Sequence, residues 1–521
     1  MAEILIKNGL VFDGSGKEGV KQDIFIKGDR VDDIGIFPNR RAETVINASG
    51  SFVAPGFIDI NSDSDHYLTL FNEPEQISLL KQGVTTILGG NCGSSLAPLI
   101  QGNLISIRKW TNPNQINIDW QTFGEFLDKL SKLKLGVNFG TLIGHSTIRR
   151  GILGEELRDL TEGELKEMKY IIERSLSEGA LGVSTGLSYS HARLTPQYEI
   201  SEILKITEKY NGLYATHLRS EDEGLISAVA ELDDLTSDLE NSPRIEISHL
   251  KAYENLQDDL NQSLKIIDNL ATKGIDINFD VYPYNTTADT LYLYLPQWAI
   301  HGGLELMVKN IKDKIVRQRI IKDLKVKKYD YSKIIVAEIS QASSFVGKSI
   351  AELARNRGLV GEEMLLDVLS LAGGRVIVFD SNLSSEGVNS LLKQPLAIIA
   401  SNGPGRNYDK KPGILPHPRS FGAFPRFLSL VREKGILGWS EAIKKITSLP
   451  AHKIGLAKRG EIKKGYFADL VIFDPEIIGS RANFQNPYFS PDGIEFVIVN
   501  GQLVVKKSNF SGILAGRIFK R

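Results

Sequence analysis

The chain has a single cysteine, Cys92, in 521 residues. An intramolecular disulfide is therefore excluded, and the expected setting is a reducing cytoplasm. Charge of one sign is also missing: 62 Lys+Arg face 63 Asp+Glu, for a net charge of −1. That balance offers no basic face for nucleic acid and no charged block for a membrane surface. No run of about 20 apolar residues occurs, so no bilayer-spanning helix is expected. The opening MAEILIKNGLVFDG lacks the basic start, apolar stretch and cleavage site of an export signal. Internal repeats and low-complexity tracts are absent as well. Hydrophobic content of 42% and charged content of 24% match a globular chain with a full core. What remains is a soluble intracellular protein that works on small molecules.

Two regimes of hydrophobic patterning are present. Residues 1–51 alternate apolar and polar side chains and break at Asn-Gly, Gly-Asp and Ser-Gly, which predicts short antiparallel strands. The same pattern returns in 451–521, in RGEIKKGYFADLVIFDP and IEFVIVNGQLVV. The two ends are expected to pair into one small β-sandwich. Between them, in 52–450, apolar runs alternate with amphipathic stretches. The runs are 52–60, 84–90, 137–145, 180–187, 213–219, 244–251, 277–284 and 396–403. Several are apolar on both faces, as parallel strands under helices must be. Eight strand-then-helix units are the arithmetic of a TIM-type (β/α)8 barrel. The gap between runs seven and eight exceeds a simple crossover, so about 300–395 is expected to form an inserted subdomain, either a cover for the site or a passive decoration.

Catalytic groups of such barrels lie at the C-terminal strand ends. Those positions hold Asp59, Asn61, Asp63, Asp65 and His66 after run one, Cys92 after run two and His145 after run three. They hold His217, Arg219 and Glu221 after run five, His249 and Lys251 after run six, Asp280, Tyr282 and Tyr284 on run seven, and Ser401, Asn402 and Gly403 after run eight. A lone cysteine is ordinarily a small core residue, and a buried histidine commonly bonds a backbone carbonyl. Their coincidence at three strand ends is more informative. Cys92, His217 and His249 together make a thiolate and two imidazoles, leaving a fourth position for water, which is the donor set of a catalytic zinc site.

These residues lie in motifs that resemble the N-acyl-D-amino-acid deacylases (D-aminoacylases) of the amidohydrolase superfamily. The motifs run nearly end to end: KNGLVFDGSG, VAPGFIDI, GVTTILGGNCGSSLAP, GALGVSTGLSY, THLRSE, ISHLKAYE, DVYPYNTTADT, HPRSFGAFPRFL and SLPAHKIGLAKRGEIKKGYFADLVIFDP. The resemblance implies one tightly bound zinc on Cys92, His217 and His249. It implies that Lys251, Tyr284, Thr290 and Arg419 hold the substrate carboxylate, and that the substrate is an N-acyl amino acid cut at a linear C–N bond. Two departures accompany it. The family's paired histidines after strand one are replaced by Asn61 and Asp63, so the weaker second metal position keeps at most the oxygen of Asp63. The family's strand-eight aspartate, its general base, is replaced by Asn402. An amide cannot accept that proton, which leaves Asp63, Asp65, His66, Glu221 and Asp289 as substitutes. The alternatives are a relative that binds zinc and a small carboxylate without turnover, and a hydrolase of cyclic amides. Oligomeric state has no signature in the sequence.

Overall fold

The computed structural model describes residues 3–100, 104–237, 239 and 243–521. Eight parallel strands close into a barrel. In order they are Phe57–Asp59, Val84–Gly89, Asn138–Thr141 continued by Ile143–Gly144, Gly182–Gly186, Leu213–His217, Arg244–Ile247, Ile277–Val281 and Ala397–Ile399. The third strand breaks at Leu142, whose N–H is donated to Gly89 O at 3.0 Å and keeps it beside the second. The ring shuts where Asn402 donates its N–H to Asn61 O at 2.8 Å and Ser62 bridges Gly403. Every residue of Val84–Gly89, Gly182–Gly186 and Leu213–His217 is buried, as strands covered on both faces require. Helices follow the strands and pack outside them. Two begin at threonine capping boxes, Thr122 with Glu125 and Thr161 with Glu164, which satisfy free N–H groups of the first turn.

The first apolar run is not one strand. Phe52–Pro55 belongs to the terminal sheet, and only Phe57–Asp59 enters the barrel. Gly56 marks the change of partner: its N–H is donated to Asp469 O, and a Cβ there would lie 2.3 Å from Thr85. The terminal strands form one nine-stranded sheet from both chain ends, with Phe52–Pro55 pairing between Glu3–Val11 and Leu470–Phe473. The sheet curls until Val31 reaches Tyr466, enclosing a core that includes Ile6, Ile24, Val53, Leu470 and Ile498.

Between barrel strands seven and eight lies the inserted unit. Its three-stranded sheet joins Thr287–Thr290, Ile377–Asp380 and Ile334–Glu338, with four longer helices from Gly303 to Leu371. It has its own core around Leu324, Val336, Met364 and Leu365. The sheet opens earlier than the periodicity indicated, because Thr-Ala-Asp-Thr carries no apolar run. Helix Ser385–Lys393, read as part of the insert, instead packs Val388, Leu391 and Leu392 into the barrel core. Ala288, Ile377 and Phe379 of the insert line the cleft that holds Asp63 and Arg419, so the insert stands over the barrel mouth.

Candidate metal centre

The three predicted ligands converge. One donor atom each from Cys92, His217 and His249 lies within 4.8 Å of the other two, and all three residues are buried. Cys92 Sγ is 3.2 Å from His249 Nε2, and the two imidazoles meet edge to face with centroids 4.4 Å apart. Backbone geometry just past the strand ends sets these positions. Cys92, His249 and Asn402 take left-handed φ values of 51°, 40° and 47°. Such a conformation costs a non-glycine residue about 1–2 kcal/mol, and its clustering at one site is the pattern of functional strain. The glycines beside Cys92 make the sharp turn: a Cβ on Gly90 would lie 2.2 Å from Leu142 O, and one on Gly93 would lie 2.5 Å from Gly186 N.

Glu221 organises the ligands. Its Oε1 lies 3.0 Å from His249 Nδ1, and its Oε2 lies 3.0 Å from His217 Nε2 and 2.5 Å from Lys251 Nζ. Burial alone would raise its pKa, yet the surrounding His217, Lys251 and His249 hold it well below the usual carboxylate range. A carboxylate there takes the N–H of each imidazole. That leaves lone pairs on His249 Nε2, facing Cys92, and on His217 Nδ1, which has no other partner. Ser188 Oγ adds a 2.7 Å contact to His217 Nε2. Burial and the neighbouring His217 bring His249 down to about 4, so its ring is neutral at physiological pH. Burial, then Asp63, pushes the Cys92 thiol up, and a cation in the gap is what reverses that. An orphaned imidazole nitrogen, a buried sulfur and a carboxylate behind both rings fit zinc. Among the described residues this is the only cluster of metal-binding type.

Asn402, Asn61 and Asp280 are joined in a hydrogen-bonded chain. Asn402 Nδ2 donates to Asn61 Oδ1 at 3.3 Å, and Asn61 Nδ2 donates to Asp280 Oδ2 at 3.0 Å. Burial pushes Asp280 up to about 8. Asp63 stays outside the ligand cluster; its carboxylate is 3.2 Å from His66 Nδ1 and 3.9 Å from Arg419 Nη2. Of the other candidate bases, Asp65 accepts the N–H groups of Gly90 and His66. His66 has both ring nitrogens engaged, by Asp63 and Ser94 O, and stacks on Trp110. Glu221 is committed to the histidines, and Asp289 accepts the Thr290 N–H. His145 is paired with Glu199 at 2.7 Å, away from the centre.

Lys251 and Arg419 are both buried, Lys251 against Glu221 and Arg419 near Asp63. Arg419 has Nε and Nη1 without partners and lies over the Tyr282 ring at 4.7 Å. The two tyrosines, at 282 and 284, differ in their partners. Tyr284 OH is donated to Pro418 O at 3.3 Å, and Arg426 covers its ring, whereas the Tyr282 hydroxyl is buried with no partner. Strand alternation does not separate the two, because Pro283 turns the chain between them. Thr290 is buried at the end of the insert's first strand. The linking role of Glu221 was also missed. Its signal was the His217/Glu221 spacing of four just past strand five.

A family model described as the amidohydrolase family matches residues 44–505. A D-aminoacylase of Alcaligenes xylosoxydans xylosoxydans is 30% identical across 100% of this chain and 98% of its own. An N-acyl-D-aspartate deacylase of the same organism is 30% identical across 96% and 92%. Among solved structures, a D-aminoacylase described as having a binuclear metal centre, with one-metal activation and second-metal attenuation, superposes with a TM-score of 0.81 at 28% identity, covering 99% of both chains. No described helix is long and apolar enough to cross a membrane.

Proposed function

Because the chain belongs to the amidohydrolase family, we propose that it is a zinc-dependent hydrolase of N-acyl amino acids, of D configuration, that works with one tightly held ion. The observation carrying this reading is the convergence of Cys92, His217 and His249 within 4.8 Å around an imidazole nitrogen that has no partner in the protein. A zinc ion held there would supply an acidified water and a polarised scissile carbonyl. The rest falls to side chains. Arg419 presents two unpartnered donors beside the free Tyr282 hydroxyl, a fork suited to the amino-acid carboxylate. Lys251, anchored on Glu221, adds positive charge at the same end. Asp63 takes the proton of the attacking water and returns it to the leaving nitrogen, held in place by His66 and within reach of Arg419. Asn402 donates to Asn61 and transfers no proton. The insert, through Ala288, Ile377 and Phe379, excludes bulk water from the cleft. A cysteine serving as thiolate ligand suits the cytoplasm.

The test is turnover. Zinc-loaded protein should release free amino acid from N-acetyl-D-amino acids, and Asp63→Asn should lower kcat by about 100-fold or more with zinc content unchanged. Full activity in Asp63→Asn removes Asp63 from the proton path. Absence of release from every D and L substrate removes the hydrolase reading.

A further inference from the structure

The near-zero charge of the whole chain conceals a local excess. Residues 309–328 of the insert hold nine Lys and Arg against two Asp, which leaves the remainder of the chain acidic. Two helices carry this segment, Gly303–Lys312 and Lys314–Lys327. The first buries Met307 and Ile311 in the insert's core, and the second buries Ile320, Ile321 and Leu324 there. The helical period then fixes the outward face of the second helix. Ile315, Arg319, Lys322 and Val326, spaced four, three and four, form one stripe, and all four are exposed. Ile315 is 83% and Val326 75% exposed, two of the three most exposed large apolar side chains among the described residues. Both acids of the segment are engaged within the fold. Asp313 caps the second helix by accepting the N–H groups of Ile315 and Val316, and Asp323 accepts the Trp298 indole N–H at 2.8 Å. Arg317 is paired with Asp367, Arg319 covers the Trp298 ring and Lys327 lies 3.8 Å from Glu223. Lys309, Lys312, Lys314, Lys322, Lys325 and Lys328 are exposed and have no hydrogen-bond or ion-pair partner among the described residues.

We propose that helix Lys314–Lys327 lies flat on an anionic lipid surface, with the free lysines at the headgroups and Ile315 and Val326 inserted between them. Cations crowded on one short segment repel one another, and a polyanionic surface removes that repulsion. The two aliphatic side chains decide which polyanion. They stand at opposite ends of one stripe about 16 Å long, so both reach a plane together. Nucleic acid would engage the lysines and leave both apolar tips in water. A lipid interface takes the cations at its phosphates and the apolar tips at the acyl boundary. The contact of Lys327 with Glu223 sets the end of the helix beside the loop that follows barrel strand Leu213–His217. Docking therefore brings the barrel mouth towards the lipid. The proposal is independent of the hydrolase reading.

The experiment sediments the full-length protein with vesicles of phosphatidylcholine alone, or of phosphatidylcholine with about 30% phosphatidylglycerol, at about 0.1 M salt. Partitioning should be about 10-fold or more stronger on the anionic vesicles and should fall when salt is raised to about 0.5 M. No binding, or equal binding to both vesicles, overturns the proposal. Each lysine near such a surface contributes about fivefold, so Lys314→Gln, Lys322→Gln and Lys325→Gln together should weaken partitioning about 100-fold. Ile315→Gln with Val326→Gln keeps the charge and should weaken it about 5-fold or more. Anionic-vesicle binding that either variant leaves intact belongs to another surface and overturns the proposal. A duplex DNA oligomer is the competing polyanion: binding to it that matches vesicle binding, and that Ile315→Gln with Val326→Gln does not alter, marks a nucleic-acid surface and overturns the lipid assignment. All five side chains are exposed and lie outside the metal centre, so zinc content and thermal unfolding of both variants should match wild type, which separates a lost surface from a lost fold.

Discussion

Replacing Glu221 by glutamine isolates the part played by the carboxylate behind the metal ligands. The wild-type oxygens meet three donors, His217 Nε2 and His249 Nδ1 at 3.0 Å each and Lys251 Nζ at 2.5 Å. Glutamine has the same volume but one acceptor oxygen, and its NH2 must face a ring N–H or an ammonium. At least one imidazole then loses the acceptor that fixes its tautomer, and its lone pair no longer points reliably at Cys92. Loss of such a partner costs about 10- to 100-fold in metal affinity, or about 1.4–2.7 kcal/mol. Competition between the metal-free protein and a chromophoric chelator at fixed pH measures this directly, and thermal denaturation with and without zinc gives a second reading. A Glu221→Gln protein that binds zinc within about twofold of wild type would show that the carboxylate serves Lys251 alone, and the tautomer argument would be wrong.

Asn402→Asp restores a carboxylate at the end of strand eight and should raise kcat by about 100-fold or more if the pocket is otherwise intact; steady-state assays settle this, and an unchanged rate means the Asn61–Asp280 chain has closed that route. Gly186→Ala would place a Cβ 2.2 Å from Cys92 O, so it should cost about 1–3 kcal/mol in denaturant unfolding and weaken zinc binding by displacing Cys92. Asp59 gives a pH test. Burial raises it to about 7 against Ser401 hydrogen bonds that lower it. A raised folded pKa means stability present below about pH 4 is lost as pH climbs towards 7, at up to about 1.4 kcal/mol per pH unit. Asp59→Asn should flatten that decline in unfolding experiments at pH 5 and pH 8, and parallel curves for the two proteins would exclude Asp59 as the titrating group.

The barrel was legible because several of its strands are apolar on both faces, and the converging trio was legible because Cys92, His217 and His249 each stand at or just past a strand end. What stayed hidden depends on three-dimensional neighbours. The split of 52–60 between two sheets follows from the demand of Leu470–Phe473 for a partner, which no local pattern encodes. The difference between Tyr282 and Tyr284 lies in Pro418 O, contributed from far along the chain. Lys109 sits in a loop without periodicity, where its burial against Tyr189 and Trp110 has no signature.

The strand that precedes the barrel has a consequence for synthesis. Phe52 is made early, yet its antiparallel neighbour, Phe473, leaves the ribosome only near the end. The amino-terminal strands must wait with an open edge while the whole barrel forms, and the last segment acts as a clasp. Nascent chains arrested before that clasp should remain protease-sensitive at their beginning, even with the metal ligands already translated.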